Sequence, residues 1–523
     1  MTYSHPNRSQ ATKTRTRLGD DVNPQSGLCV VCQEDCAGYC EVAQSSMRGP
    51  ELLYPKPYGH MTAAAQKEYP VDYSHVNIMG TAVGAHGVAA DPDEAIFPNA
   101  DVSTTLGHDN GISLDFPIVV PGLGSTDVAR RHWEGLAVGC AISGIMLTIG
   151  ENVVGMDQES VIENGEIKQA PELARRVELY RKWARGKAAI VMQENVEDNR
   201  LGALEFAVKE LGVEVVELKW GQGAKDIGGE VKIDDIGKAR MLKERGYLVL
   251  PDPRDEHVEQ EFGCSFNEFE RHSRIGMVTR DGFHDRVQQL RDAGAKYVFL
   301  KTGAYRPADL ARAVKFASEA KLDLLTIDGA GGGTGMSPWG MMNEWGVPTF
   351  YLQSLAYEYA QRLDQKGEHV PALAMAGGFS MEDHLFKALA MGAPYFKLAG
   401  LGRAVLTATM ISRNIGLLLD EGRLPKHILE HGQQREQVFV YYDELMEEYE
   451  ALGSVPDGAI GVYTYIARLK QGLRQLMTGS RKFGLEHLSR DDLACLTREA
   501  AEISGIPYVT EVDADEVGDI LGA

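Results

Sequence analysis

"KYVFLKTGAYRPADLARAVKFASEAKLDLLTIDG", residues 296–329, joins a short apolar run ending in Lys301-Thr302-Gly303 to a second one ending in Asp328-Gly329. Between them lies a stretch in which Leu310, Val314 and Ala317 recur at helical spacing. Apolar runs of this length, bounded by turn residues, read as buried strands, and strand–helix–strand order sets two strands side by side in parallel. The unit repeats in both directions. Candidate strands lie at 117–122, 142–150, 188–194, 213–221, 296–303, 322–329, 370–378 and 394–400. Helical segments separate them, such as "SMEDHLFKALAMG" at 380–392, which reads as capped by Ser380. Eight units in about 300 residues have the size of a closed (β/α)8 TIM barrel, the α/β fold expected here.

The 523-residue chain then divides into an N-terminal cysteine-bearing segment (1–112), the barrel (113–420) and a helical C-terminal extension (421–523). Residues 222–283 interrupt the barrel after its fourth strand. A structureless loop of that length is unusual in a compact domain, so the insertion is expected to fold as a lid over the barrel mouth. A net charge of −22 repels phosphate-rich surfaces, which disfavours nucleic acid and anionic membranes as partners. No run of eighteen apolar residues is present, and the first twenty residues lack the apolar stretch of a secretory signal. A cytoplasmic location is expected.

In a barrel of this kind the C-terminal strand ends build the chemistry. Gly122 ends the first strand, "AGGFS" (376–380) follows the seventh and "AGLGRA" (399–404) follows the eighth. Gly377, Gly378, Gly400, Gly402 and Arg403 therefore fall where barrel enzymes grip phosphate, since glycine lets backbone N–H groups approach an anion. Any one of these glycines by itself reads first as a tight turn; both loops at the right strands favour phosphate. "TIDGAGGGTGMSP" (326–338), with Gly332 and Gly333, carries few side chains and leaves room for a flat group such as a flavin ring. Lys301, at the end of an apolar run, either meets a negative charge such as the edge of a reduced flavin or snorkels to the surface.

Cys29, Cys32, Cys36 and Cys40 fall within twelve residues. In a reducing compartment clustered thiols bind metal more often than they pair. An iron–sulfur cluster is the first reading, zinc the second, and a redox or unpaired thiol group the third. Cys140, Cys264 and Cys495 are scattered and read as small buried side chains.

Further stretches carry a resemblance. "LKWGQGAKDIGG" (218–229) is similar to the K-x-x-Q-G-A-K-P-G-E-G-G of the FMN-binding synthase domain of glutamate synthase. "TIGEN" (148–152), "VMQEN" (191–195) and "DGAGGGTGMSP" (328–338) resemble other turns and strands of that domain. The resemblance covers roughly residues 112–415 and is nearest to the stand-alone form of the family. It implies an FMN-dependent oxidoreductase acting on CH–NH2 donors. Gln193, Lys219 and Lys301 would surround the isoalloxazine ring and the two glycine loops would hold the phosphate. Glu151, Gln222 and Lys225 would face the substrate. The implied reaction is amination of 2-oxoglutarate to glutamate with ammonia.

The chain departs from the family pattern in several places. Asp226-Ile227 replaces Pro-Gly-Glu, and Asn152-Val153 replaces two glycines after Glu151. The chain opens Met-Thr with no cysteine before Cys29, so ammonia is expected from solution or from a glutaminase-like subunit. "LGRAVLTATMISRNIG" (401–416) lacks the cysteines of the family's post-barrel cluster, and no G-x-G-x-x-G opens a βαβ unit. Electrons are therefore expected from ferredoxin or a flavoprotein subunit, through the N-terminal cysteines, in a homo-oligomer. Two further functions fit the same residues: an enzyme using another amine or oxo acid, like N-methylglutamate synthase, and a flavin electron-transfer subunit without amination chemistry.

Overall fold

The structure is a computed structural model that describes residues 36, 38, 40–53, 71–108, 111–223, 230–330, 332 and 345–522. Eight strands form a closed, wholly parallel barrel: β1 (Ile118–Leu123), β2 (Met146–Ile149), β3 (Ile190–Glu194), β4 (Val215–Lys219), β5 (Tyr297–Thr302), β6 (Leu324–Asp328), β7 (Ala372–Ala376) and β8 (Phe396–Gly400). Each falls on one of the eight stretches expected from sequence. An outer helix follows each strand in turn: α1 (Asp127–Ile142), α2 (Pro171–Trp183), α3 (Ala203–Leu211), α4 (Arg280–Ala293), α5 (Pro307–Glu319), α6 (Thr349–Asp364), α7 (Glu382–Gly392) and α8 (Arg403–Asp420). The chain is thus a (β/α)8 barrel.

Two local expectations fail for local reasons. The second strand does not begin at Ile142, which ends α1; a turn through Gly144, at φ 67°, separates them. Helix α7 is capped by Met381 instead of Ser380, because His384 Nδ1 accepts from the Ser380 and Met381 amides at 3.1 and 3.3 Å. Of the scattered cysteines, Cys140 and Cys495 are buried, but Cys264 is exposed. It follows a short helix, Glu256–Glu261, that buries none of its residues.

Strand periodicity sorts the barrel interior into layers. Val119, Met146, Val191, Val215, Tyr297, Phe299, Leu324, Ala374 and Leu398 pack together at one end. A hairpin of Thr104–Leu106 and Ile112–Leu114 plugs that end, adding Leu106, Ile112 and Leu114 to the cluster. Further along β2 to β6 the inward positions turn polar, at Thr148, Gln193, Glu217, Lys301 and Thr326.

The segments outside the barrel are built onto it. Helix α9 (Asp457–Gly479) packs against α1, α7 and α8, and the N-terminal helix Glu41–Arg48 packs on α8 and α9. Val76–Ile78 pairs antiparallel with Leu493–Cys495. The insertion folds as an antiparallel sheet with Phe269–His272 between Glu230–Ile233 and Leu248–Leu250. Its small core joins Ile233, Ala239, Leu242, Tyr247, Val249 and Phe269 to Met156, beyond β2. Among the described residues, no helix is long and apolar enough to cross a membrane.

Candidate active site

The register of β4 and β5 pairs Val215 with Tyr297, Glu217 with Phe299 and Lys219 with Lys301. Alternation therefore carries each strand from an apolar residue at the plugged end to a lysine at the mouth. On β3, Val191 and Gln193 follow the same rule; on β6, Leu324, Thr326 and Asp328 do. The mouth is lined by charges that the barrel has removed from water.

Lys301 is 4% exposed and its Nζ lies 3.1 Å from Asp328 Oδ2. Burial works to discharge it, but Asp328 and Glu217 outweigh burial and hold the ammonium's pKa above its ordinary value. Burial pushes the Glu217 carboxyl up, against the pull of Lys301 and of Gln193, whose Nε2 donates to Glu217 Oε1 at 2.6 Å. The snorkelling alternative for Lys301 is excluded: the side chain turns inward to two carboxylates. Sequence reasoning missed both of those partners. The signal was present in the two-residue spacing of Glu217 and Lys219 in "VELKW", which puts both on the inward face.

Lys219 Nζ donates to Glu151 Oε1 at 2.7 Å and to Gln222 Oε1 at 3.0 Å. Three residues from two strand ends, which the resemblance assigned partly to cofactor and partly to substrate, are thus one hydrogen-bonded set. Burial raises the Glu151 carboxyl, yet the Lys219 ammonium overrides it and leaves Glu151 below the usual carboxylate range. Backbone packing fixes the base of this carboxylate. A Cβ on Gly124 would lie 2.5 Å from Glu151 O, so only glycine lets the turn after β1 approach so closely.

Gln193 Oε1 is buried with no hydrogen-bond partner among the described residues, and a Cβ on Gly122 would lie 2.6 Å from it. At the other side of the mouth, Gly377 and Gly378 have φ 134° and 110°. Thr349 Oγ1 donates to the Gly377 carbonyl at 2.9 Å and occupies the place a Gly377 Cβ would take. Gly400 is equally closed by Ala376, whereas the space over Gly402 is open. Gly402 begins α8 without a side-chain cap, and Arg403 is the first residue of that helix. Helix α9 braces this side: Tyr465 OH donates to Ser380 O at 2.5 Å, and Arg468 pairs with Glu382 at 2.9 Å. A Cβ on Gly332 would lie 2.5 Å from Asp328 Oδ1.

Lys225, Gly333, Cys29 and Cys32 lie outside the described residues. Cys36 and Cys40 are described, and both sulfurs accept backbone N–H groups at 3.4 Å, from Gly38 and Ala43. Asn414 on α8 donates to the Cys36 carbonyl at 3.0 Å. Among the described residues, no group of three or more His, Cys, Asp or Glu side chains is placed to hold a metal ion.

Residues 272–413, from the last strand of the insertion into α8, match the family model described as the conserved region in glutamate synthase. A 186-residue stretch is 27% identical to the archaeal glutamate synthase [NADPH] of Methanocaldococcus jannaschii, covering 34% of this chain and 32% of that protein. The match thus spans about a third of that relative's own length, 32%. Among solved structures, the flavin-binding domain of baker's yeast flavocytochrome b2 aligns at 14% identity and a TM-score of 0.46, over 80% of this chain and 76% of that one. A soluble mutant of the membrane-associated (S)-mandelate dehydrogenase from Pseudomonas putida aligns at 13% identity and a TM-score of 0.43, over 81% and 88%. What the comparisons give is thus a likeness over residues 272–413 to the conserved region in glutamate synthase.

Proposed function

We propose that the protein is an FMN-dependent oxidoreductase of the glutamate synthase type that aminates 2-oxoglutarate to glutamate. The observation that carries this reading is the Glu151–Lys219–Gln222 set, seated beside Gln193, Glu217, Lys301 and Asp328 at the mouth of a barrel with the family's conserved region. The residues fit the cofactor. Gln193 offers a buried amide oxygen without a partner among the described residues, Gly122, Gly377 and Gly400 leave no room for a side chain, and the uncapped start of α8 opens under Gly402.

When bound, FMN supplies the hydride that reduces the carbon–nitrogen double bond formed from ammonia and the oxo acid. The chain's residues do the rest. Gln193 orients the ring edge, Lys301 keeps a cation beside it, and the α8 N-terminus with Arg403 receives the phosphate. Glu151, held ionised by Lys219, takes a proton from the incoming amine, and Gln222 fixes the lysine between them. Lys225 is assigned to a substrate carboxylate on the strength of its motif. In the balanced reaction, 2-oxoglutarate, ammonia, two electrons and two protons become glutamate and water.

The electrons are assigned to an external one-electron donor that enters through an iron–sulfur cluster on Cys29, Cys32, Cys36 and Cys40. In support, Cys40 begins the helix Glu41–Arg48, where a thiolate is favoured, and Cys36 is tied to α8, the helix that starts at the phosphate loop. Replacing Cys32 with Ser is expected to remove iron and acid-labile sulfide and to abolish turnover with reduced ferredoxin, while dithionite still reduces the flavin. Stoichiometric zinc without iron in anaerobically purified protein would overturn the relay.

The function itself is tested by anaerobic turnover with reduced methyl viologen, 2-oxoglutarate and either ammonium or methylamine. Glutamate formation from ammonium supports the reading. Product only from methylamine replaces it with an N-methylglutamate synthase-like activity, and no product from any amine or oxo acid replaces it with electron transfer alone.

A further inference from the structure

We infer that the insertion after β4 is a working part of the active site: through Arg245 and Tyr247 it grips the turn that follows Glu151, and together with Asp198 it keeps that carboxylate on Lys219. Three contacts carry this. The Arg245 guanidinium donates to the carbonyls of Gly155, Asp157 and Ser160 at 2.9, 2.6 and 2.6 Å, closing the end of the short helix Val153–Met156. Tyr247 OH donates to Asn152 Oδ1 at 3.2 Å and fills the space beside Gly155, where a Cβ would lie 1.9 Å from the hydroxyl oxygen. From the helix Val196–Leu201 after β3, the Asp198 carboxyl accepts from the Asn152 amide at 2.8 Å and, at 3.3 Å, from the Asn195 amide.

Asn152 explains how the chain keeps this turn where the family pattern has glycine. It sits at φ 63°, in the left-handed region that glycine enters without strain and asparagine tolerates better than most residues. Its backbone N–H is fixed by Asp198 and its side chain by Tyr247. The residue after Glu151 is therefore held at backbone and side chain by groups from two other elements. Such a grip suits a base that must sit on its partner within tenths of an ångström, because small misplacements of reacting groups lower turnover steeply. Arg271 closes the contact from behind. It is 2% exposed and its guanidinium lies 5.2 Å from the centre of the Tyr247 ring. These residues act through Glu151 and are positioning residues.

The inference rests on the role proposed for Glu151, and its test separates the two. Hydrogen exchange followed by mass spectrometry reads the turn directly in the full-length protein, whatever the reaction proves to be. Tyr247→Phe and Arg245→Lys are each expected to speed exchange across 151–157 without lowering the melting temperature of the whole chain. In the amination assay both variants should lose about 10-fold or more in kcat with KM for 2-oxoglutarate unchanged within about twofold. Asn152→Gly keeps the turn accessible but deletes the same bond to Tyr247, so it is expected to lose about as much kcat as Tyr247→Phe, and Asn152→Ala, also strained at positive φ, to lose more. Faster exchange with an inactive wild type would refute the function and leave the grip standing. Unchanged exchange in both insertion variants would overturn the grip, as would a rise in KM alone, which would place these residues in oxo acid binding.

Discussion

The two ends of the barrel interior are built by the same strands and obey different physics. At the plugged end Val191, Val215, Tyr297 and Leu324 pack with the hairpin leucines into an apolar layer that excludes water. One or two inward positions later the same four strands present Gln193, Lys219, Lys301 and Asp328. The apolar end needs only volume to be filled. At the mouth each charge must find a counter-charge, because an unpaired one would cost several kcal/mol. Apolar packing thus resides below and the paired charges above, and the second is tolerated because the first is well packed.

Substitution at matched positions sharpens this contrast. Phe299→Ala at the apolar layer should cost about 3–5 kcal/mol in urea unfolding, independent of pH, because the loss is buried area and a cavity. Lys301→Met at the mouth should cost about 3 kcal/mol at neutral pH, since Glu217 and Asp328 lose their cation. Unlike the first, this cost should shrink in acid. Glu217 is already pushed up by burial and rises further without the lysine, so its folded form favours the proton and the penalty appears only as pH climbs above the unfolded carboxyl value. Equal pH dependence in the two variants would break the comparison.

An effect that accumulates with pH comes from Asp198, which burial raises to about 8, with Glu151 and Glu194 adding to the rise against its backbone hydrogen bonds. A carboxyl raised in the fold gives stability that is complete below the unfolded value and lost as pH rises toward the folded one. Between about pH 4 and the folded value of about 8 this group should contribute a fall of about 1.4 kcal/mol per pH unit, and Asp198→Asn should remove that slope. Smaller still, Asn152→Gly should change stability by no more than about 0.5 kcal/mol, whereas Asn152→Val, a β-branched residue at positive φ, should cost about 1–3 kcal/mol.

What the sequence disclosed obeys the same division. Eight strands were legible because a parallel barrel buries both faces of each strand, leaving short apolar runs such as "YVFLKT" and "LLTID" between amphipathic helices. The residues at the strand ends were legible through the family resemblance and the glycine turns. Their pairing was not: Lys219 with Glu151 and Lys301 with Asp328 join residues 68 and 27 positions apart, and only strand register and barrel closure bring them together. The insertion's sheet was hidden for another reason. Each of its strands is three or four residues long, and Ile233, Val249 and Phe269, with Val231 packed against them, anchor them in its core, too few for periodicity to show. Asp198 and Tyr247 did not stand out in the sequence, because nothing local marks a side chain whose partner lies on another element.

The central claim is that the charged mouth holds FMN. It is tested most directly by the absorbance spectrum of the purified protein, followed by mass analysis of the chromophore released on denaturation. The account predicts flavin bands and one flavin mononucleotide per chain, with affinity for added FMN sharply reduced in a Gly402→Asp variant, whose carboxylate would occupy the open space at the start of α8. A colourless protein that takes up no FMN when it is added would contradict it.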